Sequence, residues 1–214
     1  VQREVFGMWV GYAESASYWG RIFNSLKARV VEDVFLFAVD GLKGLPEAIK
    51  AVYPEAKIQR CVVHQLRNCF KLIPWKDRRA VANDMKPIYN ATTREAAELA
   101  LDKFEEQWGK RYPKVISSWR DNWVELSTYY DLPTELRKLI YTTNAIEAYN
   151  RGLRKYTKAR CIFPNQLGLE KALYLAMKNI TKKWTGRVGN WTTILNELML
   201  YFPDRVLPED LEAL

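Results

Sequence analysis

The run Val34-Phe-Leu-Phe-Ala-Val39, closed by Asp40 and Gly41, constrains this chain more than any other stretch. Consecutive apolar residues, several of them β-branched or aromatic, leave no face for water, so the segment has to be covered on both sides. A buried helix meets that requirement as well as a buried strand, but Gly41, Gly44 and Pro46 follow at once and favour the strand. The reading is a strand buried on both faces that delivers one carboxylate, Asp40, to the mouth of its sheet. Two roles are open to Asp40. It can cap the turn that Gly41 begins, or it can do chemistry at the strand's end.

The flanking segments build a sheet around that strand. Glu4 to Tyr12 reads as another strand, with Gly7 allowing close approach of a neighbour. Ser15 and Ser17 offer N-cap chemistry for a helix to about Arg29, whose buried stripe is Tyr18, Trp19, Ile22, Phe23 and Leu26. Pro46 opens a short helix that Pro54 stops, and Lys57 to Val63 is the next strand. Alternating strands and helices imply an α/β sheet with parallel neighbours.

From Gln65 to Lys138 nothing reads as strand. Leu66 to Ile73 and Trp75 to Tyr89 are helical. Thr92 with Glu95 makes a capping box before a helix to Trp108, and Pro113 and Pro133 open two more. No Gly/Ser linker flanks this block, so it is expected as an insertion packed on the sheet, with its own core from residues such as Leu99, Phe104, Trp108 and Ile116. The expected organisation is residues 1–64 as the first part of an α/β core, 65–138 as the helical insertion, 139–202 as returning helices, and 203–214 as a loosely held tail.

Charge narrows the class of partner. Lys and Arg number 33 against 25 Asp and Glu, giving a formal charge of +8, which favours a polyanion, nucleic acid foremost. No apolar run approaches the ~18 residues of a membrane span, and three cysteines make no disulfide framework, so a reducing, cytoplasmic setting is expected. His64 is the only histidine, which sets aside histidine-centred hydrolysis and multi-histidine metal sites. Carboxylates remain. Asp40 at a strand end and Glu147 on a returning helix could hold Mg²⁺ or Mn²⁺, which prefer oxygen ligands. Two such ions clamp the attacking and leaving oxygens of a phosphodiester substitution. Glu147 also completes Asn144-x-x-Glu147, a capping box, so both roles stay open.

Four dense stretches occur in order: Asp40-Gly-Leu-Lys-Gly-Leu-Pro-Glu-Ala-Ile49, Gln59-Arg-Cys-Val-Val-His-Gln-Leu-Arg-Asn68, Ser118-Trp-Arg-Asp-Asn-Trp123 and Ile140-Tyr-Thr-Thr-Asn-Ala-Ile-Glu147-Ala-Tyr-Asn-Arg151. Asn179 to Trp184 and Asn190-Trp191 continue the match. Together they resemble the bacterial Mutator-type insertion-sequence transposases over essentially the whole chain. The resemblance implies an RNase H-like mixed sheet with a large helical insertion, and DDE chemistry in which Asp40 is the second catalytic acid and Glu147 the third. It implies a pair of Mg²⁺ or Mn²⁺ ions, double-stranded DNA at transposon ends and target, a homodimer in the full-length enzyme, and a bacterial, nucleoid-associated location.

One departure stands out. The family's first catalytic Asp belongs on a strand upstream of Glu4 to Tyr12, and the acids before Asp40 (Glu4, Glu14, Glu32, Asp33) end no buried strand. The chain is therefore expected to lack the first strands of the fold, to be inactive alone, and to pair Val34–Val39 only with Lys57–Val63. Cys61-x-x-His64 is a signature of the same family. Zinc needs three or four ligands and only Cys69 and Cys161 remain as thiols, so the pair is expected to organise the strand's junction with the insertion. Trp119 and Trp123 share a helix face; core packing is one role, and the resemblance implies that one of them stacks on DNA near the acids. Arg151, Arg154, Lys155 and Lys158 follow Glu147 and either decorate a solvated face or hold phosphates for cleavage. A non-catalytic DNA-binding remnant and a structure-specific nuclease of the same fold are the alternative functions.

Overall fold

The computed structural model describes residues 4–11, 15–29, 31–141, 144–158, 162–186 and 188–206. The chain is α/β with helices dominating. Strands β1 (Leu36–Val39) and β2 (Lys57–Arg60) pair in parallel, Leu36 opposite Lys57 and Val39 opposite Arg60. Between them runs α2 (Leu45–Val52), entered through Gly44 at φ 80°, a conformation that L side chains rarely adopt, with Pro46 in its first turn. Helix α1 (Ala16–Arg29) begins where Ser15 Oγ accepts from the Tyr18 N–H at 3.2 Å. It packs on α2, and Ile22, Phe23, Val39, Ile49, Tyr53 and Ile58 close one core around the strands.

Two strand assignments change. Residues 4–11 form no regular structure, and Tyr12 lies outside the described residues. Apolar composition suits a strand only where a pleated partner exists, and none lies beside this segment among the described residues; Phe6 instead offers its carbonyl to Arg29, whose guanidinium stacks over Trp9. The second strand stops at Arg60, because Cys61 is the N-cap of α3 (Val62–Lys71). Val62 is buried among the helices that follow, so packing there overrides its β-branched preference.

Among the described residues β1 pairs only with β2, as expected. The other edge of β2 is sealed by helices. Thr128 Oγ1 donates to the Ile58 carbonyl at 2.8 Å, and the buried Gln59 amide donates to Leu126 O at 3.0 Å while accepting from Tyr129 N–H at 2.6 Å. The Ile58 carbonyl thereby finds a partner without a third strand.

Those contacts come from an all-helical block. It comprises α3, α4 (Trp75–Asn90), α5 (Arg94–Trp108), α6 (Pro113–Asp121), α7 (Trp123–Leu126), a 3₁₀ turn at Thr128–Asp131 and α8 (Thr134–Tyr141). Its core includes Val81, Met85, Ile88, Leu101, Phe104 and Trp119. On α5 the buried stripe is Ala97, Leu101 and Phe104, which leaves Leu99 on the opposite face and 62% exposed, against expectation. Ile116 is buried as expected and Trp108 packs at the margin. The cap of α5 is Thr93, not Thr92; its Oγ1 accepts from Ala96 N–H at 3.2 Å.

The chain returns through α9 (Asn144–Lys158), α10 (Gln166–Thr181) and α11 (Trp191–Tyr201). Helix α9 packs on α10, where Gly152 approaches Ile180, and Tyr149 meets Trp184. Helix α11 packs on α8 in a third core with Leu36 of β1 at its margin. Beyond it the segment is held, not loose, as far as Val206. Arg205 donates to both carboxylate oxygens of Asp33 (2.8 and 2.6 Å), and Val206 is buried. Residues 207–214 lie outside the described region.

Candidate active site

The parallel ladder fixes Asp40 in space. Its preceding residue, Val39, lies opposite Arg60, and the Cys61 N–H extends the pairing to the Val39 carbonyl at 2.8 Å. The turn after β1 is closed by Leu42 N–H donating to the Asp40 main-chain carbonyl at 2.7 Å. The Asp40 carboxylate is thus left to face outward, with Oδ1 3.0 Å from His64 Nδ1.

Glu147 reaches the same place from the other end of the chain. It lies in the first turn of α9, and its Oε1 accepts from Arg67 Nη1 at 3.2 Å. His64 and Arg67 are three apart on α3 and share a face, so one helix meets both acids. Asp40, His64, Arg67 and Glu147 line a single groove of about 540 Å³, together with Asn150, Arg151 and Arg154. Its floor is apolar, with Trp19, Phe23 and Phe37, and it runs past exposed Ala38 beside the edge of β1 that carries no strand.

Several residues singled out by sequence are not brought to this groove. Lys155 and Lys158 are exposed farther along α9 and do not line it. Trp119 is 1% exposed in the core of the helical block, and Trp123 is half-buried with its indole N–H donated to Glu98 at 2.9 Å. Arg67 is the residue that the sequence reading passes over; its spacing from His64 is the signal that finds it. At the end of β2, Arg60 donates twice to Glu125 Oε2, at 3.1 and 2.8 Å, tying β2 to α7. A side chain at Gly41 would crowd that guanidinium at 3.0 Å.

The model of the family described as "Transposase, Mutator family" matches residues 1–186. This chain belongs to that family. It is 39% identical over 204 residues to the transposase for insertion sequence element ISRM3 of Rhizobium meliloti (strain 1021), covering 95% of this chain and 51% of that protein. A probable insertion-sequence transposase of Corynebacterium diphtheriae is 34% identical, across 95% of this chain and 65% of the relative. The IS905 transposase of Lactococcus lactis subsp. lactis (strain IL1403) is 33% identical, across 87% and 48%. The chain spans roughly half to two thirds of the length of these Mutator-family relatives. No helix among the described residues is long and apolar enough to cross a membrane.

For a hard divalent ion the groove offers a partial but chemically suitable set. Asp40 and Glu147 supply oxygen only, with side chains 56% and 31% exposed, and water can complete the coordination of Mg²⁺ or Mn²⁺. Arg67 is 57% exposed, so it can leave Glu147 without opening a buried gap.

Proposed function

We propose that this chain is the catalytic domain of a DDE-type DNA transposase with an RNase H-like core, cutting and joining phosphodiesters at the ends of an insertion sequence. The observation that carries this reading is the meeting of Asp40 and Glu147, far apart in sequence, on one groove lined by Arg151 and Arg154. Asp40 and Glu147 would hold Mg²⁺ or Mn²⁺, which when bound stabilises charge on the attacking and leaving oxygens. Arg151 and Arg154 hold the DNA backbone over the acids, and Lys155 and Lys158 extend that contact along α9. Cys61 and His64 hold the strand end against the helical block. Double-stranded DNA is the substrate, and the full-length enzyme acts as a homodimer at paired ends.

The test uses the full-length protein, DNA bearing the element's ends, and Mg²⁺. Asp40→Asn and Glu147→Gln should each lower cleavage by about 10³-fold or more, the equivalent of several kcal/mol of transition-state stabilisation, while DNA is still bound. Cleavage at the parental rate by either variant sinks the assignment. Nicking without a joined product would instead favour a structure-specific nuclease. A second reading, DNA binding without catalysis, draws on the groove's having only two carboxylates among its described lining residues; absence of metal-dependent cleavage by the parent would establish it.

A further inference from the structure

The sequence counts two cysteines as the remaining partners for Cys61 and His64. Cys69 is buried in the helical block, and burial pushes its thiol up to about 11; Cys161 lies outside the described residues. Among the described residues the group that joins Cys61 and His64 is a carboxylate. Asp40, Cys61 and His64 each bring a ligand atom within 4.8 Å of the other two. We propose that these three side chains form a binding site for a thiophilic divalent cation of the Zn²⁺ class, with one sulfur, one nitrogen and one oxygen ligand and a fourth position open to water.

The arrangement follows from the fold. Cys61 continues β2 opposite Asp40, so the strand register sets thiol and carboxylate side by side. Cys61 is also the N-cap of α3, and His64 lies in that helix's first turn, which folds the imidazole back over the thiol. Tetrahedral zinc, with bonds of about 2.0–2.3 Å, needs its ligand atoms about 3.3–3.7 Å apart. Small side-chain rotations close the gap.

Two features of these residues fit a bound cation. An N-cap usually carries Ser, Thr, Asp or Asn; Cys61 makes no side-chain cap bond and its thiol is free. His64 Nδ1 is buried and lies 3.0 Å from Asp40 Oδ1, yet the two are not aligned as hydrogen-bond donor and acceptor. A cation between them would satisfy both. Mg²⁺ has little affinity for thiolate, so this site selects a different metal from the acid pair while sharing Asp40 with it.

The site does not depend on the transposase reading, because it is read without DNA. Co²⁺ is titrated into the metal-free full-length protein and followed by absorption. One equivalent should bind with a thiolate-to-cobalt charge-transfer band and the strong visible bands of tetrahedral cobalt, and Zn²⁺ should displace it. Cys61→Ser should abolish the charge-transfer band, and His64→Gln should weaken binding at least ~10-fold. The proposal is overturned if no such band forms, or if it persists in Cys61→Ser. Should Cys61→Ser fail to fold, as checked by circular dichroism, His64→Gln decides: its ring is partly exposed, and unchanged Co²⁺ affinity overturns the site.

Discussion

Gln59→Leu removes in one substitution the buried amide that joins the sheet to the helical block. In the parent, Gln59 Oε1 accepts from Tyr129 N–H at 2.6 Å, and Nε2 donates to Leu126 O at 3.0 Å and Arg60 O at 2.7 Å. Leucine fills nearly the same volume but satisfies none of these groups. Leaving the Tyr129 N–H and the Leu126 carbonyl unpaired costs about 1–3 kcal/mol each. The extra apolar burial returns about 1–2 kcal/mol, so the net loss lies between about 0 and 5 kcal/mol and centres on about 2–3 kcal/mol. In a chain of this size that lowers Tm by about 4–12 °C. Urea unfolding followed by tryptophan fluorescence measures the loss, with far-UV circular dichroism testing whether the two probes coincide. Gln59→Glu is the companion variant. It keeps an acceptor for Tyr129 but turns a carboxylate oxygen toward two carbonyls, so at pH 7 it should be at least as damaging. A Gln59→Leu protein within about 0.5 kcal/mol of the parent would refute the argument and show that the block is held by its apolar contacts alone.

Other substitutions separate core from surface. Trp119→Ala should cost about 3–5 kcal/mol by emptying the helical core, whereas Trp75→Ala, at a residue 83% exposed, should stay within about 0.5 kcal/mol in the same unfolding assay. The Arg205 fork holds the Asp33 carboxyl below its ordinary value, so its stabilisation is full above the usual carboxylate range and is lost as pH falls through the lowered value. Asp33→Asn should therefore be weaker than the parent at pH 7 by about 0.5–1 kcal/mol, as screening at a half-exposed carboxylate allows. The gap should close below about pH 4, and a gap constant with pH would exclude the pair as its cause. Replacing Arg151, Arg154 and Lys155 together by Ala should reduce the slope of log K against log salt for DNA by about 2–3, measured by fluorescence anisotropy; an unchanged slope moves the DNA to another face.

The legible parts of this fold were those in which local chemistry and packing agree. The apolar run before Asp40 became β1 over Leu36–Val39, but it is not covered on both sides as expected: Val39 is buried while Ala38 is exposed to the groove. Pro46, Pro113 and the stripe of α1 fixed helices for reasons internal to each segment. Residues 4–11 misled because strand-like composition needs a partner to become a strand, and Val62 because its burial lies with helices. The two acids could be picked out from a strand end and a returning helix, whereas Arg67 is marked only by its spacing from His64, a weak signal because an arginine on a helix is ordinarily solvated. Trp119 and Trp123 show the same limit: a shared helix face says that two rings point alike, not whether core or groove lies there.

The two acids stand on supports of unlike stiffness. Asp40 is held by a hydrogen-bonded strand pair, while Glu147 rides on α9, which packs on α10, and its carboxylate is tied to α3 by the exposed Arg67. The groove is thus spanned like a caliper, one jaw on the strand pair and the other on the α9–α10 pair. A side chain at Gly152, whose Cβ would meet Ile180 Cδ1 at 2.8 Å, should therefore alter the distance between the two acids without replacing any group that lines the groove.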